Sequence, residues 1–284
     1  MSKQDALDNE SIIIDKYIHG QTIQSLRKYY RTTTYIIKNI LQNNNVDIRP
    51  QRLSSRKYYY NEHYFDNIDT EDKAYFLGLL YADGCNITQE NKIRITLQER
   101  DKDILEKFNH YISYNKPLFF IKKRDFKYQN MYSITFCGKH LSNQLTKLGC
   151  VARKSLALKF PNNNQVPQYL LRHFIRGLWD GDGSIGLYNR ACASLSGSHD
   201  ICLSTSKYLC STLDINARVY AIGATKNFST CDIVGTPQTL YFLNWLYKDA
   251  TVYLERKYQK YQEIKEFNKT IDKTRSNSRF NKLL

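Results

Sequence analysis

No two of the seven cysteines in this 284-residue chain stand at C-x-x-C spacing; they are Cys85, Cys137, Cys150, Cys192, Cys202, Cys210 and Cys231. An odd, scattered set argues against a zinc ribbon or a disulfide framework and fits a reducing interior. No apolar run approaches the roughly 18 residues that span a bilayer, so no membrane partner is expected. The opening "MSKQDALDNE" is polar and acidic, without the basic and apolar regions of a signal peptide. An intracellular protein is therefore expected. Acids are also short: 27 Asp+Glu face 42 Lys+Arg, a formal charge of +15. Such an excess attracts polyanions, nucleic acid first among them. The alternative is a basic surface with no role.

What is present divides along the chain. Residues 9–48 read as three short helices. Ile12, Ile13 and Tyr17 fall at helical spacing before Gly20, a helix-stop residue. Thr22 stands as a cap before Ile23, Leu26 and Tyr30, and "RTT" separates these from Ile36, Ile37, Ile40 and Leu41. Helix, tight turn and a helix with polar and basic positions make the helix-turn-helix pattern. Any small helical bundle is the alternative. Under the first reading Arg31, Thr32, Thr33, Tyr35 and Lys38 would face a DNA groove. Residues 49–70 lack periodicity and read as a linker that tracks a phosphate backbone, or as an ordinary surface connection.

From residue 71 the chain runs through α-β-β-α-β-β-α twice. In "NKIRITLQ", Ile93, Ile95 and Leu97 alternate with Lys92, Arg94, Thr96 and Gln98, a strand buried on one face. The repeats occupy 71–160 and 165–267, and a basic tail, 268–284, is expected to lack order. Each repeat opens with a helix ending in Asp-Gly, and Gly84 and Gly183 suit the left-handed turn that closes a helix. The two landmarks, Asp83 and Asp182, lie 182 − 83 = 99 residues apart, and a fixed period signals repeated architecture.

Gly78 and Ala82 share one helix face, as do Gly177 and Gly181. Faces this small let two helix backbones approach closely, so the two helices are expected to pack together. Asp83 and Asp182 then stand at two neighbouring negative helix ends, where a carboxylate is disfavoured by about 0.3–1 kcal/mol. A cation would compensate. Hard carboxylate ligands without nearby His or Cys select Mg²⁺, or a similar ion such as Mn²⁺. Divalent metal on a basic surface suits phosphodiester hydrolysis. A single Asp-Gly is more often a turn. A calcium loop starting at Asp180 is excluded by Ile185 at its sixth position, where glycine is required.

"FLGLLYADG" (Phe76–Gly84) and "IRGLWDGDG" (Ile175–Gly183) resemble the nine-residue motif of the LAGLIDADG homing endonucleases, in their single-chain, two-motif form. The resemblance runs from about Glu71 to Phe267. It implies an α+β fold of two pseudo-symmetric αββαββα halves, joined along the motif helices and forming a DNA-binding saddle of antiparallel strands. It implies site-specific cleavage of both strands of double-stranded DNA by a monomer, with Asp83 and Asp182 as metal-binding catalytic acids. It departs from the motif at Tyr81, where the earlier acid usually stands; Asp180 supplies that acid in the second copy. The family's polar residue after the second strand would be Gln98 in the first half and about Gly197 or Ser198 in the second. Its basic residue would be Lys154 and Lys257, which also read as solvated helix-end lysines. Lys92, Arg94, Thr96, Lys122, Arg124, Lys127, Arg218 and Lys226 would line the saddle. A non-cleaving DNA-binding regulator and an RNA-binding intron maturase are alternatives on the same scaffold.

Overall fold

A computed structural model describes residues 9–48, 58–123, 125, 129–151, 158–223, 227–270 and 280. Arg124, Lys127, Lys154 and Lys226 lie outside the described residues. The chain forms two compact units, one of residues up to Asn61 with Asn109–Pro117, the other of Glu62–Phe108 with the residues from Leu118 onward. Among the described residues no helix is long and apolar enough to cross a membrane.

The first unit holds α1 (Glu10–Ile18), α2 (Ile23–Tyr29) and α3 (Thr34–Asn43). Two caps set the breaks between them. The hydroxyl of Thr22 accepts from Ser25 N, and that of Thr33 from Ile36 N, satisfying backbone donors that a helix start leaves open. Ile13, Tyr17, Ile23, Leu26, Tyr30, Ile37, Ile40 and Leu41 make its core. Ile12 departs from the expected apolar face and is 46% exposed. Ile13 takes the inward place, and Ile12, 100° round the helix from it, turns toward solvent.

The second unit contains the two repeats, apart from Asn109–Pro117. The first runs α4 (Glu71–Ala82), β1 (Gly84–Ile87), β2 (Lys92–Gln98), α5 (Lys102–Tyr111), β3 (Phe119–Ile121), β4 (Met131–Cys137) and α6 (Lys139–Lys147). The second runs α7 (Leu171–Asp182), β5 (Gly183–Leu187), β6 (Ala191–Ser198), α8 (His199–Leu213), β7 (Ala217–Ile222), β8 (Phe228–Val234) and α9 (Thr236–Tyr247), followed by α10 (Glu255–Thr270). The sheets are ordered β1-β2-β4-β3 and β5-β6-β8-β7, with antiparallel pairing throughout. The fold is α+β with two αββαββα halves.

Alternation along the strands puts one face of each sheet against helices and leaves the other open. Ile93, Ile95 and Leu97 are buried in β2, and Ala191, Ala193 and Leu195 in β6. Two expectations shift. The segment read as a linker to residue 70 is anchored at its described end, where Tyr64, Phe65 and Ile68 are buried. Its aromatics pack one by one, which no periodicity reveals. The expected tail begins inside α10, which continues to Thr270 with Asn268 buried.

Candidate active site at the ends of the paired motif helices

The helices α4 and α7 meet backbone to backbone. A Cβ on Gly78 would overlap the carbonyl oxygen of Phe174 and stand 2.8 Å from Leu178 N. A Cβ on Gly177 would overlap the carbonyl oxygen of Tyr75 and stand 2.9 Å from Leu79 N. These two clashes are equivalent, each glycine facing the carbonyl of the other helix, as an approximate twofold relation between the helices requires. One turn on, a Cβ on Gly181 would overlap the methyl of Ala82 and stand 2.9 Å from Oδ2 of Asp83. Gly78, Ala82, Gly177 and Gly181 thus lie together along the seam, and the Asp83 carboxylate reaches across to the last turn of the opposite helix.

Asp83 caps α4, its backbone N–H donating to Leu79 O at 2.9 Å; Asp182 is the last residue of α7. Both are exposed. The glycines that follow differ from expectation. Neither Gly84 nor Gly183 has positive φ; each opens a strand directly, and Gly183 is extended at φ −91°, ψ 166°. Their requirement is space. A Cβ would stand 2.6 Å from Leu80 O at Gly84 and 2.5 Å from Trp179 O at Gly183, because each strand doubles back over the helix it leaves.

Beneath the exposed acids lies a buried polar cluster centred on the second motif. The Asp180 carboxylate accepts from Tyr75 Oη at 2.8 Å, Tyr247 Oη at 3.1 Å and Leu254 N at 2.8 Å. Burial pushes its pKa upward, opposed by Lys257 and these donors. Lys257 is buried, and its ammonium donates to the carbonyls of Trp179, Asp180 and Gly183 at 2.6, 2.6 and 2.5 Å. Its three protons are thus spent on the C-terminal end of α7, where a cation offsets the helix dipole. Burial depresses its pKa to about 8, with Asp180 opposing. Lys257 therefore supports the backbone on both sides of Asp182.

A second buried cluster ties the halves together. Arg176 is 0% exposed and donates to Val252 O, Leu246 O and the carboxylate of Glu71 at 2.9, 3.2 and 2.5 Å. Glu71 also accepts from Thr251 N at 2.8 Å, so the first residue of α4 holds the loop before α10. Arg256 donates to Asp101 at 2.8 Å, a further tie between halves. Sequence reasoning missed Glu71 and Arg176. The available signal was a charged residue amid the apolar positions of the second motif, where the first has Leu77.

Strand register aligns the two polar positions. Gly84 pairs with Ile95 and Gly183 with Leu195, so Gln98 corresponds to Ser198. The Oε1 of Gln98 is buried with no hydrogen-bond partner among the described residues. Ser198 is fully occupied: its hydroxyl donates to Leu158 O at 2.6 Å and caps Ile201 N at 3.3 Å. A cavity of about 200 Å³ opens beside Asp182, lined also by Ala82, Tyr81 and Ser196 to Ser198.

Residues 170–244 match the sequence profile of the LAGLIDADG-like domain. The chain carries a LAGLIDADG-like domain. An uncharacterized protein of Methanocaldococcus jannaschii is 28% identical over 207 residues, 67% of this chain and 71% of that one. Among solved structures, the I-LtrWI LAGLIDADG homing endonuclease bound to target DNA is similar at TM-score 0.47 and 10% identity, covering 73% of this chain and 93% of that one. Full-length WhiA from Thermatoga maritima is similar at TM-score 0.45 and 18% identity, covering 74% and 66%.

The LAGLIDADG-like domain and its partner half present unlike open faces. In the first sheet Lys92 and Arg94 project from β2, with Lys92 paired to Glu90 at 2.6 Å, and Lys122 is exposed just past β3. In the LAGLIDADG-like domain β6 carries Cys192, Ser194 and Ser196 in the corresponding row, and Ser194 donates to Asp232. Arg218 is exposed on β7 and lines a cavity of about 320 Å³ with Arg190, Asn216, Tyr220, Asp232 and Gln238. Arg190, in the turn after β5, was missed because a turn has no periodicity to place it. In the first unit Arg31 and Lys38 are exposed, and Thr33 serves as a helix cap.

Proposed function

We propose that the chain is a divalent-metal-dependent endonuclease that cuts both strands of double-stranded DNA at a specific site, acting as a monomer. The observation that carries this reading is the pairing of Asp83 and Asp182. Two exposed carboxylates stand at the ends of helices held backbone to backbone by Gly78, Gly177 and Gly181. Like charges at two negative helix ends call for a cation. The donors fit a hard ion such as Mg²⁺ or Mn²⁺: carboxylate oxygens, with the unpartnered Gln98 Oε1 further along β2.

Asp83 and Asp182 would hold that ion, which when bound stabilises charge on a phosphodiester and lowers the pKa of water. The protein's own residues do the positioning. Lys257 fixes the carbonyls on either side of Asp182 and screens the end of α7. Gln98 offers an amide to orient an attacking water. Lys92, Arg94, Lys122 and Arg218 contact the phosphate backbone, with Arg124, Lys127 and Lys226 in the same role, while Arg31, Thr33 and Lys38 add contacts from the first unit. Lys154 would complete the first site as a counterpart to Lys257.

A second reading, a DNA-binding protein that does not cut, is favoured by the second half: Ser198 and Lys257 are both taken up by internal hydrogen bonds. Incubation with DNA flanking the insertion site of its own gene, in Mg²⁺ and in EDTA, decides between them. Cutting in Mg²⁺ alone supports the endonuclease; tight binding with both strands intact supports the second reading. Binding in either case should weaken steeply with salt, as phosphate contacts release counterions.

A further inference from the structure

We propose that His63, Asp66 and His140 form a binding site for a transition-metal dication, zinc(II) by preference, that clips the segment before α4 onto α6. This site is separate from the paired aspartates and independent of DNA cleavage.

The three side chains converge. Nδ1 of His63 lies 2.6 Å from Asp66 Oδ2, and Nε2 of His140 lies 2.5 Å from Asp66 Oδ1. The ligand atoms all fall within 4.8 Å of one another, and the imidazole centroids are 4.4 Å apart. Two imidazole nitrogens and one carboxylate oxygen make a three-ligand zinc set, with the fourth tetrahedral position left to water. Ligand bonds of about 2.0–2.2 Å at a tetrahedral centre set ligand atoms about 3.3 Å apart, so metal binding would open both His–Asp contacts and draw the two imidazole nitrogens together. Neither imidazole lies in the buried core.

The frame is already built. His63 and Asp66 flank Tyr64 and Phe65, both buried, and the turn closes with Asp66 N donating to His63 O at 3.0 Å. Gln144 on α6 donates to Asp66 O at 3.3 Å. His140 is the second residue of α6, a nine-residue helix. Imidazole nitrogen is a common ligand of such metals. A bound dication would link positions 140 − 63 = 77 residues apart.

Donor chemistry separates this site from the paired aspartates. Imidazole suits zinc and cobalt, whereas Mg²⁺ prefers oxygen and retains its waters. The test is equilibrium dialysis of the full chain against Zn²⁺ with excess Mg²⁺, for the wild type and for His63→Gln and His140→Gln. One equivalent of zinc is expected in the wild type, with affinity reduced roughly 30-fold or more in each variant. Zinc should raise the melting temperature of the wild type, by linkage. If a variant fails to fold, the cobalt(II) spectrum of the wild type serves instead: tetrahedral d–d bands without intense thiolate charge transfer are expected. Absence of binding at about 100 µM Zn²⁺, equal binding by wild type and variants, or a thiolate spectrum from the cysteines would each overturn the proposal.

Discussion

The two halves of the second unit repeat one topology with one strand order, yet they hold their motif helices by different means. In the first half the uncharged Ala74, Leu77 and Tyr81 stand where the second half has His173, Arg176 and Asp180. Tyr81 donates a buried hydrogen bond to Leu148 O at 2.6 Å. The second half instead carries Asp180 with three donors and Lys257 with three acceptors, plus the Arg176–Glu71 pair. The open faces differ in the opposite sense: basic on β2, and small and neutral on β6. Shared packing at the glycines thus needs no shared polar chemistry.

The sharpest way to break this comparison is Asp180→Ala. It strips the partner from Tyr75, Tyr247 and Leu254 N and removes the carboxylate that acts most strongly on Lys257. Urea unfolding should show a loss of about 3–5 kcal/mol, the scale of breaking a buried charged pair. Next is the seam itself. Gly177→Ala places a methyl on a backbone carbonyl and should cost about 1–3 kcal/mol. Gly197→Ala, whose Cβ would only touch Ile201 at 3.7 Å, should change stability by no more than about 0.5 kcal/mol. Equal losses at both glycines would remove the close approach as the explanation.

A third, smaller effect concerns pH. His173 is held down to about 4, chiefly by burial and then by Arg176. The unfolded chain takes up a proton below about 6.5, which the folded chain refuses until about 4. Stability contributed by His173 is therefore present at neutral pH and is lost as pH falls from about 6.5 to about 4. His173→Gln should flatten that slope in denaturant titrations, and an unchanged slope would place the acid sensitivity elsewhere. The smallest effect is Tyr81→Phe, which removes one hydroxyl and should cost about 1 kcal/mol, well under the loss at its counterpart Asp180.

Much of this was legible in the sequence because it rests on periodicity. The strict alternation of "KIRITLQ" located β2 and its open face, and the spacing of Gly78 with Ala82 and of Gly177 with Gly181 located the seam. The 99-residue repeat located both acids. Features that rest on single side chains meeting across long separations were not legible. Nothing local to Glu71 indicates that it will meet Arg176 and Thr251, and nothing in "NEHYFDN" announces His140. The glycines after the acids were read as left-handed turns because Asp-Gly is commonly a turn; a strand folding back over its helix also needs glycine, for want of space rather than for φ.

The central claim, that Asp83 and Asp182 are the two working acids, is tested most directly by strand-resolved cleavage with each strand separately labelled, comparing wild type, Asp83→Asn and Asp182→Asn in Mg²⁺. The account predicts cutting of both strands by the wild type. It predicts a loss of about 10²–10³-fold in each variant, the scale of removing one transition-state stabilising group, with DNA affinity retained. Wild-type rates in both variants, or a wild type that binds its DNA and leaves both strands whole, would contradict it.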